Sequence, residues 1–275
     1  MKKGYIYILL TALIFSTMEI SSKMIAEQLD PYQLTFIRFF IGGMLLLPFA
    51  IKEIKVRKIT LERQDLLYFC VMGLLCVVIS MSFFQLAVLY TKASTVAILF
   101  STNPIFTMPF AYLILKEKIN QRTIFALIIS LIGILFILNP LGLNLGRDFT
   151  GIIFSILAAV VFSLYSVLGK KRIPKFGGLA CNCFTFLAGV AMMFVLMLLF
   201  DKPILSGITP ANIGTVLYIG IVVTGLGYLF YFLSMEETTA TTASIAFFIK
   251  PALAPVLSLF ILGEKISANT LCGMF

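Results

Sequence analysis

Lys250 stands in the stretch AFFIKPALAP, residues 246 to 255, inside a run from Thr238 to Leu262 that carries no other charge. A lysine at the centre of a membrane helix costs roughly 2.5–3.5 kcal/mol on insertion scales, so it needs a partner or a watery cavity. Two more charges interrupt apolar runs, Glu19 and Arg38. Asn103, in STNPIF, and Lys250 each precede a proline. Pro104 and Pro251 have no amide hydrogen to donate, which frees the carbonyls of Phe100 and Phe247. Ser101, Thr102 and Thr107 add hydroxyls on the same segment as Asn103. Together these are the parts of a solute-binding cavity: Lys250 to hold a carboxylate or exchange a proton, Asn103 and the hydroxyls to orient. The alternative for Lys250 is a structural lysine on backbone carbonyls, or one that snorkels along a cleft. Glu19 is the leading titratable group for proton or cation coupling, because the chain has no histidine and no other carboxylate within a predicted span. Arg38 reads as structural. Glu19 and Arg38 fall at matching depths, so an ion pair between them is one expectation and separate charges facing the cavity another.

The elements that must position these groups are membrane helices. Of 275 residues, 60% are hydrophobic and only 12% charged, against about 25% in soluble domains. Apolar stretches long enough to cross ~30 Å of hydrocarbon follow one another with short breaks. They predict ten helices, near 4–26, 32–51, 66–90, 93–115, 123–139, 150–169, 177–200, 212–234, 239–262 and from 268 onward. Lys2 and Lys3 before the first run resemble a signal peptide, but no small-x-small cleavage site follows. The net charge of +9 is distributed by side: 14 basic residues fall in predicted inner loops and 5 in outer ones. That bias predicts a cytoplasmic N-terminus and excludes a nucleic-acid face as the purpose of the charge. The loop at Glu236–Glu237 dissents, being inner by count yet without a basic residue. Cys181 and Cys183 are two apart, point to different helix faces and form no metal or redox motif.

The chain also repeats. Ala93–Ile119 and Ala240–Ile266, offset by 147, share ten of 27 positions, among them Phe100/Phe247 and the ending Glu117-Lys118-Ile119/Glu264-Lys265-Ile266. The same offset returns Phe15 as Phe162, Lys23 as Lys170, Phe39 as Phe186, Gly42 as Gly189 and Gly73 as Gly220. An ungapped register over several helices implies internal duplication. Each repeat, 1–147 and 148–275, then holds five helices, and an odd number inverts the second copy. Inverted halves are an architecture of secondary transporters, with the site near the midplane between them. By the repeat, the tenth helix should run to about residue 285, so it is expected to be truncated at Phe275. SFFQLAVLY (82–90) and GYLFYFLS (227–234) occupy like places in the two halves, and Gln85, Tyr228 and Tyr231 add polar tips to an apolar wall suited to an amphipathic solute.

The pieces LTFIRFFIGGMLLLPF, ASTVAILFSTNPIFTMPFAYLILKEKI and TASIAFFIKPALAPVLSLFILGEKI resemble the drug/metabolite transporter superfamily, specifically its EamA-like ten-helix branch. The resemblance covers nearly the whole chain. It implies two inverted five-helix repeats around a central cavity, and amino acids or related metabolites as exported solutes. The expected protein is an all-α, multi-pass transporter of the plasma (inner) membrane, working by alternating access. Its expected partners are a small-molecule solute and the lipid bilayer; no cofactor is expected, and a homodimer is compatible. The competing readings are a proton-coupled cationic drug exporter using Glu19, and a membrane scaffold that transports nothing. An intramembrane enzyme lacks a nucleophile–base set, and no GxxxxGK[ST] motif marks an ATPase.

Overall fold

The computed structural model describes residues 2–118, 121, 124–125, 128–129, 131–132 and 147–263. Among the described residues it is all-helical, with seven helices long and apolar enough to cross a membrane. They are α1 (Lys3–Ile25), α2 (Pro31–Val56), α3 (Arg63–Tyr90), α4 (Ala93–Leu115), α5 (Asp148–Phe176), α6 (Gly178–Leu199) and α7 (Ile213–Glu237). The shorter α8 (Ala240–Ile249) runs directly into α9 (Lys250–Leu262), and the two together occupy the predicted ninth helix. Most of the span expected at 123–139, all of the one from 268, and with it the expected truncation, lie outside the described residues, as do Cys272 and Glu264.

Several boundaries differ from expectation for physical reasons. α5 continues through Lys170–Lys175 to Phe176, where a loop was expected, because Lys170, Arg172 and Lys175 find partners on other segments. Lys175 meets Asp65 at 2.7 Å and Arg172 meets it at 3.5 Å. α2 continues to Val56, and α7 to Glu237, where the acidic pair was expected in a loop. Glu236 is answered there: Arg57 from beyond α2 meets it at 2.9 Å, and Gly178 N–H donates to it at 3.2 Å. The basic partner its own loop lacks comes from another segment.

Two helices are broken where their side chains compete for backbone carbonyls. In α1 the Ser16 and Thr17 hydroxyls donate to the carbonyls of Ala12 and Ile14, both at 2.7 Å, and the helix restarts at Met18. In α4 the Ser101 and Thr102 hydroxyls donate to Ala97 at 2.6 Å and Leu99 at 2.7 Å, and the helix restarts at Asn103. α8 tightens to 3₁₀ winding over Ile245–Ile249, and the Lys250 amide takes the Phe247 carbonyl that Pro251 would otherwise leave unmet. Pro104 and Pro251 both fall in the first turn of a restarted helix, where a missing amide hydrogen costs little.

Contacts between helices recur at the 147-residue offset. Phe39 and Phe186, α2 against α6, stand edge to face at 4.8 Å. α3 approaches α6 at Gly73, where an added Cβ would lie 2.4 Å from Gly189 N, and α2 approaches α7 at Gly42, within 3.4 Å of the Gly220 carbonyl by the same measure. Glycine permits both close crossings. Lys23 donates to the carbonyls of Val88 and Thr91 at 2.8 and 3.0 Å. Lys170 donates to those of Met235 and Thr238, each again 147 further on. The i→i+5 widenings at Leu74–Ser80 and Tyr218–Gly227 overlap under the same shift.

Candidate functional site

The break in α1 determines where Glu19 points. With the helix restarting at Met18, Glu19 falls in a first turn, where the dipole favours a carboxylate. Lys250 opens α9, and its ammonium donates to Glu19 Oε1. Both side chains are fully buried. A desolvated pair of this kind costs several kcal/mol per ion before attraction repays it, so each member depends on the other. Glu19 Oε2 has no partner among the described residues.

Aromatic rings enclose the pair. The Lys250 ammonium lies 5.1 Å from the Phe100 centroid and 5.7 Å from that of Phe247, within cation–π range. These two phenylalanines are repeat mates and pack edge to face at 5.6 Å. Phe15 stacks on Phe247 at 5.7 Å, and its mate Phe162 meets Phe100 at 5.4 Å. Tyr231 adds an edge to Phe247 at 5.5 Å, and Tyr228 one to Phe162 at 5.8 Å. Tyr228 also donates its hydroxyl to Met81 Sδ at 3.0 Å, and residues 81 and 228 are again 147 apart.

The residues singled out in the sequence divide into two groups. The fold brings Glu19, Lys250, Tyr228 and Tyr231 into one buried cluster. Asn103 is turned elsewhere: its amide donates to the Ala159 carbonyl at 3.3 Å, its side-chain oxygen accepts from Thr107 at 3.0 Å, and its backbone carbonyl accepts from Ser163 at 2.9 Å. Ser101 and Thr102 are committed to α4 itself, and Gln85 donates to Ser22 at 3.3 Å. Glu19 does not pair with Arg38, which contacts the faces of Phe39 and Phe84 instead. The expected polar opening at Lys250 is a packed interior in this conformation, with Lys250 and Asn103 both fully buried. A depression of about 350 Å³ lies apart from them, lined by Tyr32, Val78, Met193, Met197, Phe200 and Lys202. Sequence reasoning passed over the ring cluster, although Phe15/Phe162 and Phe100/Phe247 were already visible as identities between the repeats.

The twin ending of the repeats has a structural part to play as well. The Glu117 carboxylate accepts from the amides of Ala240 and Thr241 at 2.9 and 3.3 Å and from the Thr241 hydroxyl at 2.8 Å, capping α8.

Long apolar helices and charges sheltered inside them define a multi-pass membrane protein. The chain belongs to the EamA-like transporter family, whose pattern matches residues 2–139 and 149–275. It is 52% identical over 280 residues to an uncharacterized transporter of Clostridium kluyveri, covering 100% of this chain and 90% of that one. It is 24% identical to the uncharacterized transporter YoaV of Bacillus subtilis, covering 99% and 93%. A solved crystal structure shares the fold, with a TM-score of 0.77 at 16% identity over 99% of this chain and 92% of that one. Family and relatives together point to a transporter rather than an enzyme.

Proposed function

We propose that this chain is a secondary carrier that exports small amphipathic metabolites, amino acids among them, across the plasma membrane by alternating access, with its N-terminus cytoplasmic. The observation that carries the reading is the buried Glu19–Lys250 pair, enclosed by rings that both halves contribute. A purely structural core has no need of two charges at such a desolvation cost, whereas a carrier needs groups that exchange partners. Lys250 takes a solute carboxylate, Glu19 is the coupling group, and Tyr228 and Tyr231 form the wall. Asn103, Ser101, Thr102 and Gln85 line the path once the α4 and α8–α9 breaks shift.

The architecture that suits this mechanism is ten helices in two inverted five-helix repeats, 1–147 and 148–275. Its support is the way contacts exchange between halves: Gly73 meets Gly189 while Gly42 meets Gly220, the reciprocity of a twofold relation. Two such halves can trade conformations and expose the centre to one face and then the other.

Counterflow of a labelled amino-acid panel into proteoliposomes, beside Lys250→Ala at matched folded amount, tests the proposal. Exchange of a few solutes that collapses in the variant supports it. No exchange of any solute class by the parent would sink it.

A further inference from the structure

Arg38 is fully buried, and none of its three guanidinium nitrogens has a hydrogen-bond partner among the described residues. A brace requires something to brace against. Lys23 and Lys170 show what that looks like here, each holding two carbonyls. Arg38 instead rests on rings, with its guanidinium carbon 4.9 Å from the Phe39 centroid and 5.7 Å from that of Phe84. Phe84 packs edge to face on Phe100 at 5.3 Å, and Phe100 lies beneath the Lys250 ammonium. Arg38 and the Glu19–Lys250 pair are therefore neighbours across two rings in contact. Among the described residues, the formal charges in this cluster are two cations and one anion, since Cys76 and Tyr228 beside Arg38 are neutral side chains at ordinary pH. Lys250 has taken the single carboxylate.

We infer that Arg38 is a solute-binding residue: once the packed centre opens, its planar fork receives the carboxylate of an organic acid whose apolar body lies against Phe39, Phe84 and Tyr228. One carboxylate neutralises the cluster and supplies the acceptors the guanidinium lacks, and the flat bidentate geometry suits arginine better than lysine. The inference rests on the carrier reading, moves the solute carboxylate from Lys250 to Arg38 while Glu19 stays on Lys250, and narrows the solutes to carboxylates, amino acids included. Cations without a carboxylate fall outside it.

The test is equilibrium binding to the full chain in lipid nanodiscs, in chloride-free sulfate medium. The probes are 3-phenylpropionate, its neutral amide 3-phenylpropanamide, and chloride. The acid should bind about 10- to 100-fold more tightly than the amide, the range for a hydrogen bond to a charged group. Arg38→Lys should weaken the acid at least about tenfold and leave the amide unchanged. Arg38→Met should abolish acid binding yet unfold, without ligand, at or above the parent temperature, because an uncompensated buried charge is gone. Equal affinity for acid and amide in the parent overturns the inference. So does acid binding that survives both substitutions, or chloride that saturates the site and is not displaced by the acid. Should Arg38→Met fail to fold, the acid–amide comparison and the lysine variant decide alone. Arg38-dependent binding without any counterflow would sink the carrier reading and leave this site standing. Counterflow of acid and amide alike, indifferent to Arg38→Lys, would do the reverse.

Discussion

Lys23 and Lys170 stand 147 residues apart and make the same contacts, each gripping two carbonyls on a neighbouring helix. Asn103 and Lys250 are the same distance apart and share nothing but a following proline: one is bonded to α4 and α5, the other carries a charge to α1. The contrast holds more widely. Phe15/Phe162, Phe100/Phe247, Phe39/Phe186 and the glycine crossings match, whereas Glu19 is answered by Ser166 and Arg38 by Thr185. Packing positions stayed paired, as did the two carbonyl-gripping lysines, whereas Glu19, Arg38 and Lys250 are each unique to one half. On the proposed carrier mechanism, a frame that serves two related conformations is held to its pairing by both. On the same proposal, a polar centre that binds one asymmetric solute is free of that constraint.

The sharpest way to break the comparison is at the charges. Glu19→Gln should destabilise the protein by about 3–5 kcal/mol, because it leaves Lys250 buried without its anion. Adding Lys250→Met to that variant should restore most of the loss while leaving transport absent. Unfolding in detergent reads both, and a double variant no more stable than Glu19→Gln would mean that the pair holds the fold by more than mutual neutralisation.

A smaller effect tests whether the frame is as symmetric as its contacts suggest. Gly73→Ala places a methyl 2.4 Å from Gly189 N, which is backbone and cannot rotate away, so a loss near 3 kcal/mol, about the upper end for overpacking, is expected. At the mate, Gly220→Ala meets Ile41 Cβ at 2.8 Å, an atom fixed to its backbone, but the overlap is shallower than at Gly73 and the loss should be less. Equal losses would mean that the two crossings are equivalent after all. Lys23→Ala and Lys170→Ala should each cost about 2 kcal/mol, as hydrogen bonds from a charged group do. Unequal values would show that one end of the frame is held more firmly than the other.

Much of this was legible in the chain, for reasons of physics. Spans were readable because hydrocarbon thickness sets their length, and the three in-span charges because each is expensive there. The repeat was readable because packing residues recur in register. The pairing of Glu19 with Lys250 was not, because depth was counted at a uniform 1.5 Å per residue. The turn at Ser16–Thr17 and the 3₁₀ stretch Ile245–Ile249, rising about 2 Å per residue, both shift that count. The commitment of the Asn103 amide to the Ala159 carbonyl was equally hidden, since that partner lies 56 residues away in sequence.

The mildest probe lies at the rim. Arg57 bridges Glu53 at 3.1 Å and Glu236 at 2.9 Å, with about a third of its side chain exposed. Ion pairs so open to solvent contribute at most about 1 kcal/mol and are screened by salt. Arg57→Ala should therefore lower the unfolding temperature slightly in dilute buffer, with the difference fading as salt approaches 1 M, where the screening length is about 3 Å. No equivalent should be found at the mate, because position 204 is Ile and the contact belongs to one half only. If Arg57→Ala instead cost as much as losing Lys23 or Lys170, the rim would be part of the frame that holds the halves together, and the division between a paired scaffold and an unpaired set of charges would have to be drawn closer to the centre.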